Sequence, residues 1–234
     1  AYNNLGAAFK ELGEYEKSIT CFQKAIEIQP KHADAYNNLG NVLQDLGELQ
    51  KAINCYEKTI QINPNYVNAH YNLGTVFKQL GELKKAKNCY EKTIQINPDY
   101  AEAHNNLGLV FYELGESQKT ISCFQKAIQL NPNNVNAHSN LGAIFKKLGE
   151  LQKAKKSCQK AIQIKPNHVD AHNNLGTILK ELGEHQEAIS CYEKAIQINP
   201  KYAAAHNNLG NVFKELRKYK EAISCHKKAI DIQP

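Results

Sequence analysis

Seven asparagine residues recur at intervals of 34 residues and supply the most regular polar chemistry in this chain of 234 residues. They are Asn4, Asn38, Asn72, Asn106, Asn140, Asn174 and Asn208. Each amide carries a hydrogen-bond donor and an acceptor, so a row of them can bond a peptide backbone whatever side chains that peptide carries. Asparagine is a poor helix former, so its repetition within predicted helices needs a reason. We interpret this row, the asparagine ladder, as a ligand-binding surface; the alternative is that each asparagine bonds the neighbouring repeat or a helix end.

Three apolar side chains interrupt the same polar surface. Tyr71, Leu109 and Tyr112 stand where the other repeats mostly have Asn, Ser, Thr, Ala, Lys or Gln. Clustered exposed aromatic residues mark interaction sites more often than isolated ones do. We therefore predict a side-chain pocket near the centre of the array, and expect alanine at Tyr71 and Tyr112 to weaken binding without lowering thermal stability. The alternative is drift at a tolerant surface position.

Charged residues of both signs occupy two further repeated positions. These residues are Lys10, Lys78, Lys146, Lys180 and Lys214 at the first position, and Glu11, Glu113, Glu181 and Glu215 at the second. The mixture predicts a solvated edge rather than an anion site. The net charge is +6, and residues 137–170 carry much of it, which makes nucleic-acid binding an alternative. A basic patch confined to a small part of the array favours a solvated face instead.

The cysteines repeat without the spacing of a metal site. Six of them share one position of the repeat: Cys21, Cys55, Cys89, Cys123, Cys191 and Cys225. The seventh, Cys158, lies one residue after that position in its repeat. Stacked helices lie roughly 8–10 Å apart, too far for disulfides between equivalent cysteines. We therefore predict buried thiols in a reducing, cytoplasmic compartment.

Five histidines repeat at the same interval and cannot converge on one metal ion: His70, His104, His138, His172 and His206. We interpret them as packing residues, whose protonation near about pH 6 would destabilise the chain if they are buried and neutral. The sequence contains no phosphate-binding loop, nucleophile elbow or metalloprotease motif. It predicts a protein that is not an enzyme and needs no cofactor or metal.

The elements that position these residues follow from the same period, which marks a helical repeat. In the second repeat, the apolar residues of 35–46 and of 49–60 each form one helical stripe, with Gly47 and Glu48 between them. Proline then ends the second helix. It does so at the same place in every repeat: Pro30, Pro64, Pro98, Pro132, Pro166, Pro200 and Pro234.

Glycine has two predicted roles. A glycine inside the first helix, such as Gly40, costs about 1 kcal/mol relative to alanine, which predicts close approach of the second helix. A glycine between the helices, such as Gly47, can take the left-handed conformation that ends a helix. The seventh repeat has Arg217 there, so we expect a strained or differently shaped turn.

One helix pair cannot bury its own stripe, but stacked pairs can, so the predicted fold class is all-α, an α-solenoid of seven helix-turn-helix units. We predict one array over residues 1–234, with units 1–34, 35–68, 69–102, 103–136, 137–170, 171–204 and 205–234. No apolar run approaches the roughly 18 residues of a membrane span, so no membrane association is expected. The chain lacks methionine, and we expect it to be a segment of a longer protein.

The repeat resembles the tetratricopeptide repeat family over the whole chain. In the second repeat the landmarks are Tyr36, Leu39, Gly40, Leu43, Ala52, Tyr56, Thr59 and Pro64. The resemblance implies a right-handed superhelix whose first helices line a concave groove that binds an extended peptide or a helix. A similar asparagine ladder lines the tetratricopeptide region of the O-linked N-acetylglucosamine transferase family, which supports a binding role for the ladder.

The best-defined site of that family is a carboxylate clamp for the acidic C-termini of heat-shock chaperones. The clamp needs Lys or Arg at positions that here hold Asn3, Asp34, Asn38, Asn68 and Asn72. Chaperone C-termini are therefore not expected partners.

The predicted function is a non-catalytic scaffold that binds a protein or peptide segment in its groove. One alternative is the substrate-recruiting array of a larger enzyme such as a glycosyltransferase, and another is a nucleic-acid-binding helical repeat. Terminal repeats of such arrays usually hide their apolar face under a polar cap. Since this sequence shows no polar capping helix after its last repeat, we also expect end-to-end self-association.

Overall fold

The computed structural model describes residues 1–233, which form fourteen α-helices and no strand. Each repeat supplies a first helix, called helix A, and a second, called helix B. The bounds are α1 Tyr2–Glu11, α2 Tyr15–Ile28, α3 Ala33–Asp45, α4 Leu49–Ile62, α5 Val67–Gln79, α6 Leu83–Ile96, α7 Ala101–Glu113, α8 Ser117–Leu130, α9 Val135–Lys147, α10 Leu151–Ile164, α11 Val169–Glu181, α12 His185–Ile198, α13 Ala203–Glu215 and α14 Tyr219–Ile232. The predicted all-α class with seven helix-turn-helix units is confirmed.

Two compact units divide the chain. Ala1–Glu116 holds α1–α7, and the unit that begins at Ser117 holds α8–α14. In the first unit, α2 packs against α1 and α3, α4 against α3 and α5, and α6 against α5 and α7. The second unit shows the same alternation from α8 to α14. Within each unit, a helix B thus contacts the helix A before it and the helix A after it.

Helix A and helix B of one repeat meet at a glycine. A Cβ atom on Gly40 would lie 2.7 Å from Cε1 of Tyr56, so only glycine leaves room for this ring. Tyr56 is fully buried, and its hydroxyl oxygen lies 2.9 Å from Oδ1 of Asn41 and 2.8 Å from Oε1 of Gln44. The close approach predicted from the mid-helix glycine is confirmed, because the tyrosine ring fills the space that a methyl group would occupy.

The turn between the two helices requires a left-handed residue. Gly47 has φ +77°, and the next residue, Glu48, donates its backbone N–H to Leu43 O at 2.8 Å. Arg217, at φ +57°, is the one non-glycine residue with positive φ in the described chain, and Lys218 N still reaches Phe213 O at 2.8 Å. The seventh turn therefore keeps the common shape at the expense of backbone strain.

The histidine column joins helix A to the proline that precedes it. Nε2 of His70 donates to Pro64 O at 2.9 Å, and Nε2 of His172 donates to Pro166 O at 2.8 Å. His104, His138 and His206 make the same bond at 2.9–3.0 Å. His70, His172 and His206 are buried, whereas His104 and His138 are partly exposed. The predicted packing role is confirmed for the three buried residues. The hydrogen bond to the proline carbonyl oxygen was not predicted.

Packing between repeats relies on an isoleucine of helix B. Ile53 is only 5% exposed, but its equivalents in the third and fifth repeats are Lys87 and Lys155. Nζ of Lys155 pairs with Glu184 at 2.5 Å, and Nζ of Lys87 lies 5.9 Å from the centre of the Phe111 ring. The methylene groups of each lysine occupy the place of the isoleucine side chain, and the ammonium group extends to the edge of the contact between the repeats.

The cysteines form no disulfide among the described residues. Cys21 and Cys158 are buried as predicted, whereas the other five are half-buried. Burial raises the pKa of Cys55, Cys89 and Cys191 to about 11 and that of Cys158 to about 12. Because the thiolate is the reactive form of cysteine, these side chains are weak nucleophiles at neutral pH.

Candidate functional site

The asparagine ladder places one side chain on each helix A, from Asn4 on α1 to Asn208 on α13. Asn4 is exposed, and the six ladder residues after it are half-buried. Each of the two compact units therefore carries part of the ladder at its surface.

The ladder amides bond the preceding repeat. Nδ2 of Asn38 donates to Oδ1 of Asn3 at 3.1 Å, and Nδ2 of Asn208 donates to Oδ1 of Asn173 at 3.0 Å. In each case the acceptor lies 35 residues earlier in the chain. The same bond has other acceptors in other repeats: Asn37 for Asn72 at 3.3 Å, the Tyr71 hydroxyl group for Asn106 at 3.0 Å and Ser139 Oγ for Asn174 at 3.4 Å. The alternative in which these asparagines bond the neighbouring repeat is thus observed.

What the ladder offers to a ligand is mainly its amide oxygens. The side-chain oxygens of Asn72, Asn174 and Asn208 accept no hydrogen bond from the described residues. Asn72 also donates to Oδ1 of Asn41 at 2.9 Å, so its amide group is held twice. In these three residues the bond between repeats fixes the plane of the amide and leaves an oxygen that can accept from a backbone N–H. Oδ1 of Asn38 and Oδ1 of Asn106 instead accept from Asn37 and Asn105.

The acceptors of these bonds were missed by sequence reasoning. They stand immediately before each ladder residue, as Asn3 does before Asn4. The signal was present, because the pair Asn-Asn occurs at this place in five of the seven repeats. The first asparagine of each pair can accept the hydrogen bond that the second asparagine of the next repeat donates.

The side chain of Tyr71 packs against other tyrosines and accepts a hydrogen bond from the next repeat. Its ring stacks on Tyr100 at a centroid distance of 5.0 Å and meets Tyr90 at 5.8 Å with a tilt of 53°. Its hydroxyl group accepts from Asn106, and burial raises the pKa of that hydroxyl group. Contrary to the expectation from the sequence, alanine at Tyr71 should lower thermal stability, since these contacts would be lost.

Leu109 and Tyr112 lie on the helix that carries Asn106. Leu109 follows Asn106 by three residues and Tyr112 follows Leu109 by three, so Leu109 is a neighbour of each on the surface of α7. Leu109 is half-buried, whereas Tyr112 is 40% exposed. The pocket formed by Tyr71, Leu109 and Tyr112 together stays a prediction, and Tyr112 is the most exposed of the three.

The charged edge contains ion pairs between repeats. Nζ of Lys10 lies 3.1 Å from Asp45, and Nζ of Lys180 lies 2.8 Å from Glu215. Lys146 and Glu181 form a third pair at 3.5 Å. Each acid follows its lysine by 35 residues, the same offset as in the ladder bonds. These side chains are about one quarter to one half exposed, so each pair contributes only about 0–1 kcal/mol.

Family models for this type of repeat match almost the whole chain. A model described as TPR repeat matches residues 6–47, 74–115 and 176–217. Two models described as tetratricopeptide repeat match residues 33–66, 101–134, 135–168 and 203–234, and residues 55–88 and 157–190. The chain belongs to the tetratricopeptide repeat family. The resemblance seen in the sequence is thereby confirmed.

Several solved structures are similar to this chain. YrrB, described as a TPR protein with an unusual peptide-binding site, is 28% identical, with a TM-score of 0.63, over 79% of this chain and 95% of its own. MamA protein is 29% identical, with a TM-score of 0.62, over 73% and 93%. A tetratricopeptide repeat protein from Parabacteroides merdae shares the fold at 19% identity, with a TM-score of 0.79, over 100% and 92%. No curated protein matches the chain significantly.

Two further structural observations concern residues 1–233. None of their helices has both the length and the apolar character needed to cross a membrane. No group of three or more His, Cys, Asp or Glu side chains in this part of the chain is arranged to hold a metal ion.

Proposed function

We propose that this chain is a protein-interaction scaffold that binds an extended peptide segment along the face of the asparagine ladder. Tetratricopeptide repeats serve as non-enzymatic scaffolds for protein–protein interaction, and the chain consists of them. The observation that supports the finer proposal is that each unit leaves ladder oxygens open, at Asn72 in Ala1–Glu116 and at Asn174 and Asn208 in the unit that begins at Ser117, with each amide held by a bond to the repeat before it.

Main-chain recognition follows from the chemistry of this row. The amide oxygens accept, so they pair with donors, and an extended peptide supplies N–H groups regardless of its sequence. Fixed amides lose little side-chain entropy on binding, which favours affinity. YrrB, a similar protein, is described as having a peptide-binding site, which agrees with this class of ligand.

Selectivity would come from the apolar side chains beside the ladder. Tyr112 and Leu109 present the apolar surface next to Asn106 on α7. A ligand side chain that is aromatic or aliphatic would bury surface there, while the ladder holds its backbone. A scaffold that recruits substrates for a larger enzyme, such as a glycosyltransferase, would use the same face in the same way.

The cellular compartment is part of the proposal. The cysteines form no disulfide among the described residues, and burial raises the pKa of the Cys158 thiol, which suits a reducing compartment such as the cytoplasm. Nucleic acid is a disfavoured ligand, because lysines of the charged edge are engaged with carboxylates of the next repeat. Binding of RNA with a steep dependence on salt would contradict this expectation.

The decisive experiment separates ligand contact from repeat packing. A random peptide library selects a binding peptide, and its affinity is compared for two triple variants. The first variant removes ladder amides: Asn72→Ala, Asn174→Ala and Asn208→Ala. The second, Asn37→Ala with Ser139→Ala and Asn173→Ala, weakens the same three bonds between repeats but keeps the ladder.

We expect the first variant to lose affinity at least about tenfold and the second to lose much less, since each missing hydrogen bond contributes about 1 kcal/mol. N-methylation of the peptide backbone should reproduce the loss with the unmodified protein. Equal losses in the two triple variants would mean that the ladder serves packing alone.

A further inference from the structure

We infer that Lys78 binds an acidic side chain of the peptide, an aspartate or a glutamate that lies about two or three residues from the apolar side chain held at Leu109 and Tyr112. This rests on the proposed binding of an extended peptide along the asparagine ladder, and it adds one required residue to the sequence of that peptide. The groups involved lie on α5 and α7, within the unit Ala1–Glu116.

Lys78 differs from the other lysines of the charged edge in its ion pairing. Four of these lysines have an acid 35 residues later in the sequence: Lys10, Lys78, Lys146 and Lys180. Three of them pair with that acid, at distances of 2.8–3.5 Å. The acid 35 residues after Lys78 is Glu113, yet neither residue forms an ion pair with any of the described residues. The charge of Lys78 is therefore left for a carboxylate from outside the chain.

The side chain of Lys78 also makes no hydrogen bond with the described residues. At the equivalent position of the second repeat, Oε1 of Gln44 accepts from the Tyr56 hydroxyl group at 2.8 Å. In the third repeat the corresponding tyrosine, Tyr90, donates to Oγ1 of Thr75 at 3.3 Å instead. Lys78 is half-buried, so part of its side chain is already packed and less entropy is lost when its ammonium group binds.

The charges around Lys78 favour a single acid over an acidic stretch. Gln44 and Gln79 are neutral, and Asp45 is held by Lys10 at 3.1 Å. Glu113 follows Tyr112 directly and is exposed, so it would repel a second acid placed next to the apolar side chain of the ligand.

The stacking of the repeats gives the spacing in the peptide. Lys78 and Tyr112 hold equivalent positions in successive helices A. Packed helices lie roughly 8–10 Å apart, which an extended chain spans in about two or three residues at about 3.3 Å per residue. Asn72, also on α5, keeps its amide oxygen open for the backbone of the same peptide.

A double-mutant cycle between the protein and a selected peptide tests the inference. Synthetic random peptides with amidated C-termini are selected on the full chain, so that a terminal carboxylate cannot substitute for a side chain. The enriched peptides should carry Asp or Glu about two or three residues from an aromatic or aliphatic residue. Changing this acid to its amide should weaken binding to the wild type roughly threefold to tenfold. The same change should not weaken binding to Lys78→Gln, which has already lost the ion pair.

The matched control is Lys180→Gln, the same substitution at the equivalent position of the sixth repeat, where Glu215 already holds the lysine at 2.8 Å. Exchanging the acid of the peptide should weaken binding to this variant as much as to the wild type. Thermal melting checks that both variants fold.

The results separate this inference from the proposed function. Peptides that lose affinity for the triple ladder variant but bind Lys78→Gln as tightly as the wild type would overturn the role of Lys78 and leave the scaffold function standing. An equal loss from the acid exchange with Lys78→Gln and with the wild type would mean that the acid contacts another group, and would also overturn it. If no peptide binds the chain, the proposed function fails and the inference fails with it.

Discussion

Asn106 donates a hydrogen bond of 3.0 Å from its side-chain amide to the hydroxyl group of Tyr71 in the preceding repeat. In other repeats the same amide donates to an asparagine or serine. The third repeat thus keeps the bond between repeats while exchanging a small polar residue for a ring that stacks on Tyr100. An aromatic interruption of the ladder can therefore be structural and need not mark a ligand pocket.

Tyr71→Phe should lower the free energy of unfolding by about 1 kcal/mol, because it leaves the amide of Asn106 without its acceptor. Tyr71→Ala should lower it by about 2 kcal/mol or more, since the ring stacking is lost as well. Urea unfolding followed by circular dichroism measures both. Tyr36→Phe is the control, since the hydroxyl group of Tyr36 bonds none of the described residues; an equal effect of the two Phe variants would contradict the assigned bond.

Arg217→Gly should stabilise the chain. A non-glycine residue in the left-handed region costs about 1–2 kcal/mol, and glycine gives back about 0.5–1 kcal/mol through the greater entropy of the unfolded chain. We expect a net gain of about 0.5–1 kcal/mol and a higher melting temperature. Lys227→Gly, at an exposed position inside α14, should destabilise by about 1 kcal/mol instead. A lower melting temperature for Arg217→Gly would show that the arginine makes a compensating contact.

Lys87→Ile should also stabilise the array. It restores the isoleucine that packs between repeats elsewhere, and burying that side chain contributes about 1–2 kcal/mol against a weak pair with Glu91 at 3.7 Å. Lys155→Ile should gain less, because it removes the partner of Glu184. Lys84→Ile, on an exposed position of α6, controls for added hydrophobicity. No gain from Lys87→Ile over that control would mean that the lysine stem already fills the contact.

Acid should destabilise the second unit through His168. Its Nδ1 accepts from Ala171 N at 3.1 Å and so caps α11 in the neutral form. Burial lowers its pKa below 6.5, with Asp170 acting in the opposite direction and Lys165 and His172 adding to the decrease. The unfolded chain then binds the proton more readily, so the contribution is fully present above pH 6.5 and is lost as pH falls through 6.5 to the lowered pKa.

The variant His168→Asn isolates this effect. Asn134 caps α9 with a 3.0 Å bond to Ala137 N, so asparagine can replace the histidine without losing the cap. At pH 8 the variant should lose only the bond of 3.2 Å that Nε2 of His168 donates to Oδ1 of Asn136, and between pH 8 and pH 5 it should lose less further stability than the wild type. His138, whose pKa burial also lowers, accounts for part of the loss that remains. Identical pH profiles for the variant and the wild type would exclude His168 as the source.

The helices and turns were predictable because their causes are local. Proline ends each helix B, glycine supplies the left-handed turn, and the apolar spacing gives the stripe that each helix buries. Even the exception at Arg217 could be found by comparing the repeats. The sequence did not determine whether Arg217 would take the left-handed conformation of the glycines at this turn. It does, and Lys218 N donates to Phe213 O as in the other turns.

The pairing between repeats was not predictable in the same way. Equivalent residues share a position number, so the sequence invites comparison of Asn38 with Asn4 or of Lys180 with Lys214. The helices instead stack with an offset of one residue, so that Asn38 meets Asn3 and Lys180 meets Glu215. This offset depends on how one helix lies against the next, which local composition does not determine. A ligand-binding row was therefore preferred over its alternative, bonds between repeats, and a solvated edge was expected where the structure has ion pairs.

The one-residue offset also determines which changes in chain length the array tolerates. Every ladder bond joins the same two positions of successive repeats, so removing or duplicating one complete stretch of 34 residues brings an equivalent donor to an equivalent acceptor. A single residue added or removed inside a helix A would turn the side chains that follow it in that helix by about 100° and break the hydrogen bond and the ion pair that they make. Such a chain can lengthen by unequal recombination of its gene in whole repeats, and the new junction is bonded from the start.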